Sequence, residues 1–138
     1  MRVLALDLGS KRIGVAVSDP GGLIAQPLPA LSTKADLGHL ADIERLVTEH
    51  TVERMVVGLP LRLDGKAGPE AEQARQVASM ISQRTGLVVD LYDERMTTKV
   101  AERSLLEMGR KRDKRRLLRD SVAATILLQD YLARKTVG

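Results

Sequence analysis

The run VLALDLGSKRIGVAVSD, residues 3–19, constrains the fold most because it places Asp7 inside an apolar segment. In an extended strand the side chains of Val3, Ala5 and Asp7 share one face, and the leucines at 4, 6 and 8 share the other. Apolar residues on both faces predict a central strand that is covered on both sides. A carboxylate buried there is destabilised unless a cation, hydrogen-bond donors or a metal compensates. We therefore expect Asp7 either to have a chemical role or to be hydrogen-bonded to the next turn.

The rest of the chain alternates between strand and helix patterns. The predicted strands cover residues 3–8, 13–18, 23–31, 55–57 and 87–92, and the predicted helices cover 37–50, 69–85, 97–108 and 117–135. Pro27 and Pro29 place the third strand at a sheet edge, and residues 61–69 form a glycine-rich loop. This order predicts one α/β domain over residues 1–138, with a five-stranded mixed sheet and helices on both faces. It is the order of the ribonuclease H-like fold.

The composition excludes several classes of protein. The absence of cysteine excludes disulfides, thiol nucleophiles and cysteine-based zinc sites, and is typical of a reducing compartment. No apolar run approaches the roughly 20 residues of a membrane-spanning helix, and the first residues enter a strand without a signal peptide. We therefore expect a cytoplasmic protein with no membrane partner.

The positive charge of the chain is concentrated in one segment. The formal net charge is +4, but residues 99–119 contain nine lysines and arginines against three acidic residues, a net +6 that leaves −2 for the rest. A basic segment on a nearly neutral body is typical of a protein that binds a polyanion. Because Tyr92 and Tyr131 are the only aromatic residues, contacts with phosphates are favoured over base stacking. The segment predicts a nucleic-acid partner, and the alternative is a solvated charged loop.

The candidates for acid–base chemistry are carboxylates rather than histidines. The only histidines, His39 and His50, are predicted on one helix, roughly 16 Å apart at 1.5 Å per residue, so they cannot flank one phosphate, and we expect both to be solvated. Glu94 follows the last predicted strand, at the end of the sheet where ligand sites form, beside Asp93 and Arg95. The alternative for Glu94 is a surface ion pair with Arg95.

Asp120 is the third candidate carboxylate. Ala123, Ala124 and Leu127 follow it at helical spacings, which predicts that Asp120 lies on the inward face of the last helix. The alternative is an ordinary helix N-cap. Three carboxylates at one end of a sheet repel one another unless divalent cations compensate, and oxygen ligands select Mg²⁺ or Mn²⁺. Two such ions, roughly 3.5–4 Å apart, can promote in-line attack at phosphorus.

Four segments together identify a family resemblance. They are DLGSKRIGVAVSD (7–19), VGLPLRLDGKAG (57–68), DERMTT (93–98) and DSVAATILLQDYL (120–132). With these four segments in this order, the chain resembles the YqgF/RuvX family of ribonuclease H-like nucleases. Members of this family are described both as Holliday junction resolvases and as pre-16S rRNA processing nucleases. The resemblance implies a catalytic and metal-binding site formed by Asp7, Glu94 and Asp120. It selects Glu94 over Asp93, a choice that strand parity leaves open.

The leading hypothesis is a Mg²⁺- or Mn²⁺-dependent hydrolase of the two-metal type that cuts phosphodiester bonds in structured nucleic acid, at the 5′ end of precursor 16S rRNA. Phosphates would be bound by basic side chains: Lys11, Arg12, Arg95, Arg110, Lys111, Arg112, Lys114, Arg115 and Arg116. One alternative is a resolvase of four-way DNA junctions, which would act as a homodimer with paired sites. Another is an RNA- or ribosome-binding protein without catalysis.

Overall fold

The computed structural model describes residues 1–34, 38–60, 68–93 and 119–137. These ranges contain the strands β1 (Val3–Leu8), β2 (Arg12–Ser18), β3 (Ala25–Ser32), β4 (Arg54–Leu59) and β5 (Val88–Asp93). They also contain the helices α1 (His39–Glu49), α2 (Pro69–Thr85) and α3 (Val122–Val137), and a 3-10 turn at Arg119–Ser121 precedes α3. The bounds agree with the predicted elements to within a few residues. The predicted helix over 97–108 and most of the loop over 61–69 lie outside the described residues.

The five strands form one mixed sheet in the order β3-β2-β1-β4-β5. β1 pairs antiparallel with β2 and parallel with β4, while β2 pairs antiparallel with β3 and β4 pairs parallel with β5. β1 lies in the centre, as its two apolar faces predict, and β3 lies at an edge, as Pro27 and Pro29 predict. The prediction of a five-stranded mixed sheet is confirmed.

Helices cover both faces of this sheet. Side chains of α1 and α2 pack on the face that carries Leu4, Leu6 and Val57. Side chains of α3 pack on the opposite face, with a buried cluster of Val3, Ala5, Ala16, Val56, Ala124, Leu127, Leu128, Tyr131 and Leu132. Among the described helices, none combines the length and the apolar character needed to cross a bilayer. Asp7, which the sequence predicts as a site residue, lies on the α3 face because it shares its side of β1 with Val3 and Ala5.

Two tight turns have the chemistry that the sequence predicts. After β2, the Asp19 carboxylate accepts hydrogen bonds from the backbone N–H groups of Ile24 (2.8 Å) and Leu23 (2.7 Å), which lower the pKa of Asp19. Gly22 completes this turn with φ of 72°. At the end of α2, Gly86 takes the left-handed conformation with φ of 73°, as expected for a helix stop signal.

One prediction about the histidines is wrong. His39 is only 4% exposed, and its Nδ1 atom accepts a hydrogen bond from the backbone N–H of Lys34 (3.1 Å). It is buried because the first turn of α1 packs against the segment that follows β3. His50 is half-buried at the end of α1, where its carbonyl oxygen accepts a hydrogen bond from Arg2 (3.2 Å).

Candidate acidic site at the end of the central strand

Asp7 lies near the end of β1, on the face that α3 covers. It is directly opposite Gly14 of β2, and it shares its face of the strand with the buried residues Val3 and Ala5. The side chain is half-buried. No hydrogen bond or ion pair joins its carboxylate to any other described residue, including those of the next turn. The alternative prediction, a hydrogen bond between the Asp7 carboxylate and the next turn, is therefore wrong for the described residues.

The turn between β1 and β2 is held rigidly by backbone contacts. The Gly9 N–H donates to the Arg12 carbonyl oxygen (3.0 Å), and a β-carbon at Gly9 would overlap that oxygen. The end of β3 supports the same turn, because Thr33 donates its N–H to the Lys11 carbonyl (2.9 Å) and its hydroxyl to the Gly9 carbonyl (3.0 Å). Lys11 and Arg12 are both exposed on this turn. Two of the predicted phosphate-binding residues thus lie next to the end of β1.

Asp120 lies on the same face of the sheet as Asp7. A β-carbon added to Gly14 would overlap the backbone carbonyl oxygen of Asp120, so the 3-10 turn packs directly on the Gly14 backbone. Gly14 is the cross-strand partner of Asp7, and the positions where their β-carbons project are therefore neighbours. The prediction placed Asp120 on the last helix, facing inward. In the structure it belongs to the 3-10 turn before α3, its backbone packs on Gly14, and its side chain is 36% exposed. The structure thus places the backbone of Asp120 against the cross-strand partner of Asp7.

Arg12 forms an ion pair with Asp120. Its Nη1 atom lies 2.7 Å from Oδ2 of Asp120, and the side chains of Arg12 and Asp120 are 66% and 36% exposed. Because β2 alternates between faces, Arg12 and Gly14 project to the same side as Asp7. A positive charge therefore lies beside the Asp120 carboxylate, on the face of the sheet that carries Asp7. An ion pair with this exposure contributes little to folding, about 0.2–1 kcal/mol.

Ser121 is a residue of this region that sequence reasoning missed. It is completely buried, and its hydroxyl accepts a hydrogen bond from the Val15 N–H of β2 (3.0 Å) and donates one to the Leu28 carbonyl of β3 (2.5 Å). The bridge lies where the register of β2 against β3 shifts, between Ile13 and Val15. The only signal in the sequence is a serine next to Asp120, which resembles an ordinary helix-capping residue.

The remaining predicted site residues lie outside the described residues. These are Glu94 and the basic side chains Arg95, Arg110, Lys111, Arg112, Lys114, Arg115 and Arg116. Glu94 follows directly after β5, whose end at Asp93 is aligned with Leu59 at the end of β4. Glu94 and the basic segment remain predictions.

A second cluster of charged and phenolic groups lies between α3 and the strands β4 and β5. Arg54 donates to Asp90 (2.9 Å) and to the Tyr131 hydroxyl (3.1 Å), and that hydroxyl in turn donates to Asp90. The hydrogen bond from Arg54 to Asp90 raises the pKa of Arg54. Burial, followed by the hydrogen bond to Asp90, raises the pKa of Tyr131 to about 12. The Asp90 carboxylate therefore accepts hydrogen bonds from both Arg54 and Tyr131.

A similar contact lies beside it. The Tyr92 hydroxyl donates to Asp130, which also accepts a hydrogen bond from Arg134 (3.2 Å). The rings of Tyr92 and Tyr131 meet edge to face, with centroids 5.9 Å apart. Burial, followed by the hydrogen bond to Asp130, raises the pKa of Tyr92 to about 12. The two tyrosines thus join α3 to the sheet, and neither is available as a base at neutral pH.

Asp7 and Asp120 have the donor chemistry of a divalent-cation site. Carboxylate oxygens are the ligands that Mg²⁺ and Mn²⁺ prefer, and the Asp7 oxygens have no competing partner among the described residues. Arg12 contacts one oxygen of Asp120, Oδ2. The exposure of Asp120 leaves the pair open to solvent and to a ligand. Asp7 and Asp120 therefore offer part of a coordination sphere for a hard cation, while the described residues contain no group of three or more histidine, aspartate or glutamate side chains that could hold one.

Comparisons with known sequences agree over nearly the whole chain. Residues 1–134 match a family model described as "RuvX: Holliday junction resolvase". The chain is 47% identical over 135 residues to a protein of Myxococcus xanthus, covering 96% of this chain and 87% of that protein. It is 46% identical over 134 residues to a protein of Moorella thermoacetica, covering 97% and 96%. Both relatives carry the name "Putative pre-16S rRNA nuclease".

Solved structures with the same fold include two resolvases. Thermus thermophilus RuvC, solved with a Holliday junction substrate, superposes with a TM-score of 0.64 at 17% identity over 99% of this chain and 97% of that one. The fowlpox virus resolvase, solved with Holliday junction DNA, has a TM-score of 0.60 at 12% identity over 98% and 99%. These likenesses confirm the predicted ribonuclease H-like fold. The family match and the sequence identities show that the chain belongs to the RuvX family.

Proposed function

We propose that this chain is a divalent-metal-dependent nuclease that hydrolyses phosphodiester bonds in structured nucleic acid, with precursor 16S rRNA as its substrate. The relatives named for that activity align with almost the entire chain. The observation that carries the proposal is the packing of the Asp120 backbone on Gly14, the cross-strand partner of Asp7 at the end of the central strand.

Asp7 and Asp120 would bind Mg²⁺ or Mn²⁺, with Glu94 as a third ligand. When bound, a pair of such ions would supply an activated water and charge stabilisation for the leaving oxygen. The protein contributes the placement of the ligands. β1 fixes the Asp7 backbone between two paired strands, and contact with Gly14 fixes the turn that carries Asp120.

Lys11 and Arg12 would bind the phosphates of the nucleic acid. The Nη1 atom of Arg12 lies 2.7 Å from Oδ2 of Asp120. A phosphate bound by the Arg12 guanidinium group would therefore be held next to Asp120. The backbone contacts of the turn keep both side chains at the end of β1. The predicted basic residues between Arg110 and Arg116 would extend this contact along the substrate.

The test is cleavage of precursor 16S rRNA, single strands and four-way DNA junctions, with Mg²⁺ or Mn²⁺, by the wild type and by Asp7→Asn. We expect Asp7→Asn to reduce cleavage by at least about 10³-fold, because a member of the catalytic group is removed. Binding of the nucleic acid should remain. The matched control is Asp42→Asn, which removes a carboxylate from α1 on the other face of the sheet. Equal cleavage by Asp7→Asn and the wild type would contradict the proposal.

The description of the family favours a second candidate, the resolution of Holliday junctions. Symmetric cleavage of a four-way junction requires a two-fold dimer with paired sites. Preferential cleavage of junctions by a dimeric species in the same assay would support this candidate over the rRNA substrate. Binding without cleavage of any substrate would instead identify a non-catalytic RNA-binding protein.

A further inference from the structure

The Ser121 hydroxyl connects three elements of the fold at one point. It belongs to the 3-10 turn, it accepts from the Val15 N–H of β2, and it donates to the Leu28 carbonyl of β3. Ser121 is 0% exposed, so water cannot readily replace these hydrogen bonds. The two strand groups that it satisfies lie at the register shift between β2 and β3. The turn is therefore anchored to the sheet backbone itself.

This anchor acts directly on Asp120. Ser121 is the next residue in the chain, and its Cα and the Asp120 carbonyl both lie against Gly14. With the Ser121 side chain fixed on one side and Gly14 on the other, the 3-10 turn has little freedom to slide along the sheet. The backbone position of Asp120, and with it the point from which its side chain projects, follows from this constraint.

We propose that Ser121 is the positioning residue for Asp120 in the acidic site. The proposal rests on the proposed function, since it takes Asp7 and Asp120 to be ligands of a divalent cation. Ser121 does not itself touch the cation or the substrate. Its hydroxyl holds the turn against β2 and β3, and so sets where the Asp120 carboxylate lies relative to Asp7 for binding one or two divalent cations.

A purely structural role for Ser121 would affect stability alone, and Thr125 provides the control. Thr125 is also buried, one turn further along α3, and its hydroxyl donates to the Ser121 carbonyl (2.7 Å). Thr125→Val removes a buried hydroxyl from the same helix without removing the bridge to β2 and β3. Ser121→Ala and Thr125→Val should therefore both lower the melting temperature, but only Ser121→Ala should affect Asp120.

The decisive measurement is the Mn²⁺ affinity of the full chain, by calorimetry without nucleic acid. We expect Ser121→Ala to weaken Mn²⁺ binding about fivefold, the effect of one hydrogen bond, and Thr125→Val to change it less than twofold. In an Asp120→Asn background, Ser121→Ala should cause no further loss, because Ser121 acts through Asp120. Ser121→Cys, which keeps the shape of serine with a weaker donor, should give an intermediate affinity and serves if Ser121→Ala does not fold.

Three results would overturn the positioning role while leaving the proposed function intact. They are an unchanged Mn²⁺ affinity in Ser121→Ala and Ser121→Cys, an equal loss in Thr125→Val, and a further loss in the Asp120→Asn background. Failure of the wild type to bind Mn²⁺ would instead overturn the metal-dependent nuclease itself, and the positioning role with it.

Discussion

The α3 face of the sheet carries acidic residues at two places, and their surroundings differ. Beside β4 and β5, Asp90 is bound by Arg54 and Tyr131, and Asp130 is bound by Tyr92 and Arg134. At the end of β1, Asp7 has no partner among the described residues, and Asp120 has only an exposed ion pair with Arg12.

The difference separates structural carboxylates from candidate catalytic ones. Asp90 and Asp130 accept hydrogen bonds from tyrosine hydroxyls and guanidinium groups, and these donors stabilise the negative charge. Asp7 is half-buried without such compensation, which lowers the free energy of unfolding unless a ligand compensates the charge. Substitutions around Asp90 and Asp130 should therefore reduce stability, and substitutions around Asp7 and Asp120 should reduce activity.

Among the substitutions that test this comparison, the largest effect is expected from Gly14→Ala, which acts on the acidic site through the backbone. The new β-carbon overlaps the Asp120 carbonyl oxygen, so the 3-10 turn must move away from β2. We expect cleavage to fall about 100-fold, the effect of a displacement of about 1 Å in a catalytic group. The free energy of unfolding should fall by about 1–3 kcal/mol. Cleavage kinetics and urea denaturation test both effects.

Gly86→Ala is the control for this substitution. It places alanine at φ of 73°, where nothing lies within 4 Å of the new β-carbon. The strain lowers the free energy of unfolding by about 1–2 kcal/mol without reaching the acidic site. If Gly86→Ala reduced cleavage as much as Gly14→Ala, loss of stability alone would explain both, and the comparison of the two regions would fail.

An intermediate effect, on stability only, is expected from Tyr131→Phe. The substitution removes a hydroxyl that donates to Asp90 and accepts from Arg54, while the direct contact between Arg54 and Asp90 remains. The free energy of unfolding should fall by about 1–2 kcal/mol, and cleavage should be unchanged at a temperature where the variant is folded. A tenfold loss of cleavage by the folded variant would show that this network supports the reaction.

The pH dependence of unfolding tests the same network. The pKa of Tyr131 is raised to about 12 in the folded protein from an ordinary value of 10. Between these values the folded state keeps a proton that the unfolded state has lost, so the free energy of unfolding decreases as the pH rises from 10 to 12. Tyr131→Phe should make this decrease shallower, which denaturation at a series of alkaline pH values would detect.

The smallest effect on stability is expected from Arg12→Gln. The ion pair with Asp120 is exposed, so the free energy of unfolding should change by less than about 1 kcal/mol. If Arg12 also binds a phosphate, the slope of log affinity for nucleic acid against log salt should become shallower by about 0.9. The control is Arg45→Gln, which removes an arginine of similar exposure from α1 on the other face. Equal slopes for Arg12→Gln and Arg45→Gln would show that Arg12 does not bind a phosphate of the nucleic acid.

The fold could be predicted from the sequence because its main signals are local. Apolar residues on both sides of β1, turn residues at Asp19 to Gly22 and helical spacing in α1 and α2 are all visible in short windows. The prolines of β3 also indicated its place at the edge. His39 was predicted wrongly because its burial depends on how the first turn of α1 packs against the segment after β3, and the helical pattern contains no information about that contact.

The acidic site was predictable only in part. The spacing of apolar residues placed Asp120 facing inward, but it did not show that a 3-10 turn carries it or that Gly14 is its contact. The Ser121 bridge depends on the register between β2 and β3 and on the docking of α3, which are contacts between distant parts of the chain. A serine at this position has no sequence pattern that distinguishes such a bridge from a helix cap.

The placement of Asp7 and Asp120 also affects when the protein can act during its own synthesis. Asp7 is on the first strand, whereas Asp120 comes just before the last described helix, and the Ser121 bridge requires β2, β3 and the 3-10 turn together. A nascent chain whose α3 is still inside the ribosome contains Asp7 but has not yet packed the turn that carries Asp120 against Gly14. Under the proposed function, the carboxylate pair is therefore assembled only after translation has passed α3, and the ribosomal RNA around the emerging chain is not exposed to a premature nuclease.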